Sequence, residues 1–184
     1  MLSYKEVSNV DEDLKKQKIQ EWYQLYSDDI YRFVLMMIGD HDQAKDLTHD
    51  TYLKAYNSFE YFQGVTSDKN WLYRIARNVT IDYMRKKKPI RFMIESFSTF
   101  PSEENCPEKI MELGENEEQL YRCLKKLKRS YQDVIILRKI KELSIQETAE
   151  VLEWNETKVK NTLFRGLAAL KQQMVKEGYN HETI

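Results

Sequence analysis

Two sets of side chains in this 184-residue chain have the types and spacing to hold a polyanion. Arg74, Arg77, Asn78 and Arg85 recur at helical intervals and lead into Lys86, Lys87 and Lys88. On a helix they fall in one broad sector that can follow a DNA backbone. Lys158, Lys160, Asn161, Phe164 and Arg165 lie off the apolar stripe of another predicted helix, where cations and an amide can reach phosphates and base edges in a major groove. These are binding groups rather than reacting ones. The sequence has no recognisable Gly-rich phosphate loop, metal-spaced set of His and carboxylates, or Ser-His-Asp arrangement, which argues against an enzyme. Cys106 and Cys123 have no CxxC spacing, and His41, His49 and His181 are far from them in sequence. Reduced thiols are expected, with no metal and no cofactor.

A net charge of −1 hides a strong alternation. Residues 1–60 sum to −5, residues 61–101 to +5, residues 102–119 to −6 and residues 120–184 to +5. Two basic modules separated by acidic segments suggest two places that meet phosphate and others that meet something else. No apolar run approaches the roughly 20 residues that span a bilayer. The acidic, polar start of the chain has no signal-peptide core, so a cytoplasmic protein is expected.

The elements that must position these groups are helices. Five Gly and three Pro are too few for the repeated turns of a sandwich or barrel. Residues 1–13 show no helical periodicity and are expected to fray, with order beginning near Leu14. Trp22, Leu25, Tyr26, Ile30, Phe33, Val34, Met37 and Ile38 have the three-and-four spacing of a buried stripe, which Gly39 ends. A second helix starts around residues 40–42 and runs to a loop over 59–64. A third covers about 68–87 and is expected to stop at Pro89. Residues 89–117 contain all three prolines and an acidic run, and read as a flexible linker. Beyond it, Leu120, Cys123, Leu124 and Leu127 make one stripe and Val134, Ile135, Leu137 and Ile140 another. The expected fold is all-α: two small helical domains, 14–88 and 118–176, with tails at 1–13 and 177–184.

Ser144 followed by Glu147 has the form of a capping box, opening a helix with Thr148, Ala149, Val151 and Leu152. Asn155 can cap the next helix, from about Glu156 to Met174, with Val159, Leu163, Leu167 and Leu170 on its buried side. A small Ala149 at the crossing, a short turn and Val159 make the pattern of a helix-turn-helix whose second helix is the recognition helix. The turn departs from the usual pattern by placing Glu153 where Gly is common.

Three segments then occur in order. Asp46-Leu47-Thr48-His49-Asp50-Thr51-Tyr52-Leu53-Lys54-Ala55-Tyr56 resembles the DLxQExFLKAY segment of bacterial sigma factors. Trp71-Leu72-Tyr73-Arg74-Ile75-Ala76-Arg77-Asn78 resembles their WLYRIARN segment. Leu137-Arg138, with Leu143-Ser144-Ile145-Gln146-Glu147-Thr148-Ala149 after it, resembles the start of their fourth conserved region. Together they resemble the extracytoplasmic-function (ECF) group of the sigma-70 family, over roughly residues 19–88 and 118–174.

That resemblance implies region 2 and region 4 domains and a subunit that gives core RNA polymerase its promoter specificity. It implies that Asp46, Leu47, Asp50, Thr51 and Leu53 dock on the clamp of the largest polymerase subunit. Phe62, Trp71, Arg74, Arg77, Asn78 and Arg85 would meet the minus-ten element, Phe62 and Asn78 receiving an unstacked base. Trp71 fits either a core position or a stacking one. Arg138 would join Lys158, Lys160, Asn161, Phe164 and Arg165 at the minus-thirty-five element. The partners implied are core polymerase, promoter DNA and an anti-sigma factor that can be membrane-anchored, without insertion of the chain itself. The rival reading is a stand-alone helix-turn-helix regulator of duplex DNA, whose C-terminal half would look the same.

Overall fold

A computed structural model of the chain describes residues 4–62, 64, 66–97 and 115–178. All regular structure among them is helical, and the chain divides into two compact units, Met1–Ile94 and Glu95–Ile184. The expected linker is partly helix, because α3 continues to Phe97 and α4 begins at Glu115. Residues 98–114, with Cys106, and 179–184, with His181, lie outside the described residues.

The first unit contains α1 (Tyr4–Ile38), α2 (His41–Asn57), a short 3-10 turn (Phe59–Tyr61) and α3 (Asp68–Phe97) up to Ile94. Helix α1 starts at Tyr4, earlier than the apolar pattern predicts. Between Glu12 and Lys16 it makes polar contacts, which apolar periodicity does not register. Glu12 pairs with Lys16 at 3.5 Å and accepts from the Tyr56 hydroxyl at 3.2 Å, and Lys15 lies 4.3 Å from the Tyr56 ring centre. Gly39, at φ 81°, turns the chain, and the Asp40 carboxylate caps α2 by accepting from the Gln43 N–H at 3.0 Å. The core is Trp22, Ile30, Phe33, Val34 and Met37 from α1, Ala44, Leu47, Tyr52 and Ala55 from α2, and Trp71, Leu72, Tyr73 and Ala76 from α3. Leu25, expected on the buried stripe, is 61% exposed. Thr48, Thr51 and Thr80 are buried because each hydroxyl donates to the carbonyl four residues back, at 2.7 Å.

Helix α3 passes Pro89 and does not stop there. An internal proline removes one hydrogen bond and costs about 3 kcal/mol, which bends or weakens a long helix without having to end it.

The second unit contains α4 (Glu115–Lys125), α5 (Arg129–Ile135), a wide turn over Ile136–Ile140, α6 (Ile145–Leu152) and α7 (Glu156–Lys176). In the wide turn Lys141 N–H reaches back five residues to the Ile136 carbonyl, at 2.9 Å, which marks a π-turn. Buried Gln132 donates to the Lys125 and Leu127 carbonyls at 3.0 and 2.8 Å, satisfying the end of α4. Asp133 is fully buried and paired with Arg129 at 2.7 Å.

Helix α7 meets α5 through Gly166. A methyl group there would lie 3.3 Å from both Tyr131 Cβ and Ile135 Cδ1, so the backbones approach closely. Val159 and Leu170 are buried as expected, but Leu167 is 37% exposed. The buried sector of α7 is centred on Gly166, and an apolar-stripe reading overlooks a glycine.

Candidate nucleic-acid and polymerase interfaces

Backbone capping builds the C-terminal motif. Ser144 and Glu147 form the full capping box: the Glu147 N–H donates to Ser144 Oγ at 3.1 Å, and the Ser144 N–H to Glu147 Oε2 at 2.7 Å. Helix α6 ends at Glu153 in the left-handed region, φ 56°, and the Trp154 N–H closes the turn on the Ala149 carbonyl at 2.9 Å. Asn155 then starts α7 by accepting from the Lys158 N–H at 2.7 Å. These bonds orient α7 so that Lys158, Lys160, Asn161, Phe164 and Arg165 are all exposed, Phe164 at 77%. Lys160 has only an exposed partner, Glu156 at 3.3 Å, an ion pair worth little in water.

Lys158 is held differently, with its ammonium 4.2 Å from the Trp154 ring centre. Trp154 is a positioning residue that sequence reading missed. Its signal was available, as an aromatic four positions before a recognition-helix cation.

Arg138 stands apart from these five. It is half-buried and its guanidinium donates to the Leu143 carbonyl. The carbonyl just ahead of the α6 cap thus gains a charged donor, and Arg138 secures the approach to the motif rather than belonging to the exposed row.

In the first unit aromatic rings position the site. Trp22 lies 5.7 Å from Phe59, 5.1 Å from Phe62 and 5.6 Å from Trp71, and Phe62 lies 5.1 Å from Trp71. The Trp22 indole N–H donates to Asp68 Oδ2 at 2.6 Å, and Lys18 approaches the same carboxylate at 3.5 Å. The 59–62 segment is thereby fixed to the start of α3. Trp71 is 4% exposed within this cluster, the placement that its core reading describes. Phe62 is half-buried and keeps part of its ring in solvent. Asn78 and Arg85 are exposed, and Arg85 carries an exposed pair with Asp82 at 3.0 Å; Arg74 and Arg77 are half-buried. Burial pushes the Tyr52 and Tyr73 phenols well above the usual tyrosine range, keeping both neutral inside the bundle.

On α2, Asp46 and Asp50 are exposed and Leu53 is 49% exposed, whereas Leu47 is 4% exposed and Thr51 fully buried. Leu47 and Thr51 therefore do not share the exposed face of the other three. They lie on the side of α2 packed into the bundle, and the Thr51 hydroxyl is bonded to the Leu47 carbonyl. An acidic-apolar surface of Asp46, Asp50 and Leu53 remains.

Residues 22–90 match the Sigma-70 region 2 family and residues 117–170 match Sigma-70 region 4. The ECF RNA polymerase sigma factor SigX of Bacillus subtilis is 37% identical over 166 residues, covering 86% of this chain and 84% of that protein. The chain belongs to the ECF sigma factors. The RNA polymerase sigma factor YlaC of the same organism is 33% identical over 163 residues, covering 88% of this chain and 94% of the relative. Among solved structures, a Bartonella quintana sigma factor RpoE, in complex with the anti-sigma factor NepR, superposes with a TM-score of 0.68 at 22% identity. That match covers 86% of this chain and 97% of the other, and the likeness is one of fold. The function is that of a sigma factor in transcription initiation. The match of the first unit to region 2 disfavours a stand-alone duplex-binding regulator, which would need only the second unit. No described helix of this sigma factor is long and apolar enough to cross a membrane.

Proposed function

We propose that this sigma factor divides initiation between its two units and performs no chemistry itself. It works in the cytoplasm beside its polymerase. Asp46, Asp50 and Leu53 on α2 dock on the clamp of the largest polymerase subunit, where carboxylates around one exposed leucine offer charge and a small apolar contact. Lys158, Lys160, Asn161, Phe164 and Arg165 on α7 read the minus-thirty-five element, amide and guanidinium on base edges, lysines on phosphate.

Phe62, Asn78, Arg74, Arg77 and Arg85 serve the minus-ten element. Melting a duplex without ATP requires that an unstacked base find a ring face and a hydrogen-bonding edge elsewhere. Phe62 offers the first and Asn78 the second. The observation that carries this reading is the exposed row of α7 on a turn fixed by three capping interactions. A related fold was solved with the anti-sigma factor NepR bound, which supports control of this chain by a regulator of that class, soluble or membrane-anchored.

The test is run-off transcription by core polymerase with the full-length chain, read alongside permanganate reactivity of promoter thymines. Arg165→Ala weakens promoter binding by about 1 to 3 kcal/mol and leaves core binding unchanged. Asn78→Ala and Phe62→Ala still join core and still bind the upstream element but fail to open the strands. A pre-melted bubble restores part of their activity. Wild-type thymine reactivity in both folded variants would return α3 to plain backbone binding.

A further inference from the structure

The segment between α2 and α3 holds a second ring that the base-capture reading does not use. A 3-10 turn has three residues per turn, so Phe59 and Phe62 fall on one side and both enter the cluster around Trp22. Tyr61 is left facing out. At 79% exposure it is the most exposed of the large apolar side chains among residues 12–62, 66–87 and 118–178, ahead of Phe164 on the recognition helix at 77%.

The backbone beneath Tyr61 is well tied. Its own N–H donates to the Ser58 carbonyl at 3.0 Å, and the Phe62 N–H donates to the Phe59 carbonyl at 2.9 Å. Ser58 is bonded back to the Lys54 carbonyl through both its N–H, at 2.9 Å, and its hydroxyl, at 2.7 Å. Residues on either side of Tyr61 are pinned by rings buried against Trp22 and Trp71. A protruding tyrosine on a fixed turn has only two side-chain torsions to lose, which suits a stacking surface.

We propose that Tyr61 stacks a second unstacked base of the non-template strand, beside the one held by Phe62 and Asn78. This rests on the base-capture reading of the preceding subsection. Phe62 is half-buried against Trp22 and Trp71, so the part of its ring left in solvent serves one base and not two. The aromatic cluster seats Tyr61's turn on the start of α3, the same helix that presents Asn78, Arg85, Lys86 and Lys87 to solvent. Glu60, the exposed neighbour of Tyr61 in sequence, disfavours phosphate on this turn and so favours an approach by bases over backbone. Contact through a π-face is sequence-tolerant, so Tyr61 adds grip at a position where base identity matters little.

The experiment uses holoenzyme assembled from core polymerase and the full-length chain. Binding is measured to single-stranded non-template oligonucleotides spanning the minus-ten element, each with one abasic site at a successive position. Tyr61→Ala weakens binding of the intact strand by about 5- to 150-fold. In this variant one abasic position, adjacent to the captured base, no longer carries a penalty. Tyr61→Phe keeps binding and the abasic profile of the parent. Unchanged thermal unfolding of Tyr61→Ala, expected for an exposed ring, shows the fold intact. An unchanged abasic profile in Tyr61→Ala overturns the proposal, as does loss of core polymerase affinity in place of strand affinity, which would put the ring against protein. Asn78→Ala in the same assay separates the two levels. If it weakens strand binding and Tyr61→Ala does not, the second stacking site alone falls; if neither does, the base-capture reading falls with it.

Discussion

In the first unit the chain makes its left-handed turns at Gly39, φ 81°, and Gly64, φ 66°, whereas the turns flanking α6 in the second unit are made by Glu142, φ 57°, and Glu153, φ 56°. The two units also hold their functional groups by different means. In the first, a few large rings centred on Trp22 fix the segment carrying Phe62 to α3. In the second, caps at Ser144 and Asn155, the Arg138 clamp on Leu143 and the Lys158–Trp154 contact each contribute a little. One site therefore depends on a single large contribution and the other on the sum of several small ones, two of its turns keeping a non-glycine residue in a disfavoured conformation.

The largest effect expected from this contrast is at Trp22. Trp22→Ala removes the centre of the cluster and the partner of Asp68, and costs about 3 to 5 kcal/mol. Fluorotryptophan NMR in urea can follow Trp71 and Trp154 separately. The Trp71 signal moves to much lower denaturant while the Trp154 signal stays in place. If both move together, the units are coupled and the contrast between them is lost.

Next in size is the pair Leu47 and Leu53, six residues apart on α2 with opposite fates. Leu47→Ala destabilises the first unit by about 2 to 5 kcal/mol, because its side chain is in the core. Leu53→Ala leaves stability unchanged and weakens binding to core polymerase by about 1 kcal/mol, the scale of one exposed apolar contact. Urea midpoints and a titration with core polymerase separate the two. A stable Leu47→Ala variant with poor core binding would restore Leu47 to the docking surface.

What the sequence made legible follows from the kind of interaction. The capping box at Ser144 and the cap at Asn155 were readable because both bonds are local, made within three residues. The exposed row of α7 was readable from its position off the apolar stripe. Burial of Trp71, Leu47 and Thr51 was not, because the motif strings that include them run through buried and exposed positions alike. Apolar periodicity does not register Glu12, ahead of Leu14, because its contact is polar and with Tyr56, distant in sequence. Arg138 looked like a free cation because its acceptor, the Leu143 carbonyl, is a backbone atom that no side-chain pattern marks.

A smaller effect separates the units at alkaline pH. Burial and the neighbouring Arg129 charge bring Lys125 from 10.5 down to about 8. The unfolded chain then binds more protons between about pH 8 and 10.5, so the second unit gains stability as pH rises through that window. Lys125 is part-exposed, so the gain is on the order of 1 kcal/mol after solvent screening. In the first unit Tyr52 and Tyr73 are raised, so the folded state holds protons that the unfolded state releases, and stability falls above about pH 10. The same NMR titration at pH 8, 9, 10 and 11 should show the Trp154 transition moving up first and the Trp22 and Trp71 transitions moving down last. Lys125→Met flattens the rise; a rise that persists in that variant places its origin elsewhere.

The smallest effect tests the turns themselves. Glu153 caps α6 at φ 56°, a conformation that costs an L-residue about 1 to 2 kcal/mol and glycine nothing. Glycine brings its own cost, because it gives the unfolded chain about 0.5 to 1 kcal/mol of extra freedom. Surface charge contacts of the exposed glutamate are worth at most about 1 kcal/mol and reduce the gain further. Glu153→Gly is thus expected to stabilise the second unit by about 0.5 kcal/mol, with the first unit unmoved. Glu153→Ala separates the two contributions: it removes the carboxylate but keeps the Cβ and the strain, so it does not stabilise. If alanine matched glycine, the gain would come from charge. The relief of backbone strain would then be refuted, and with it the idea that the second unit's turns cost more than those of the first.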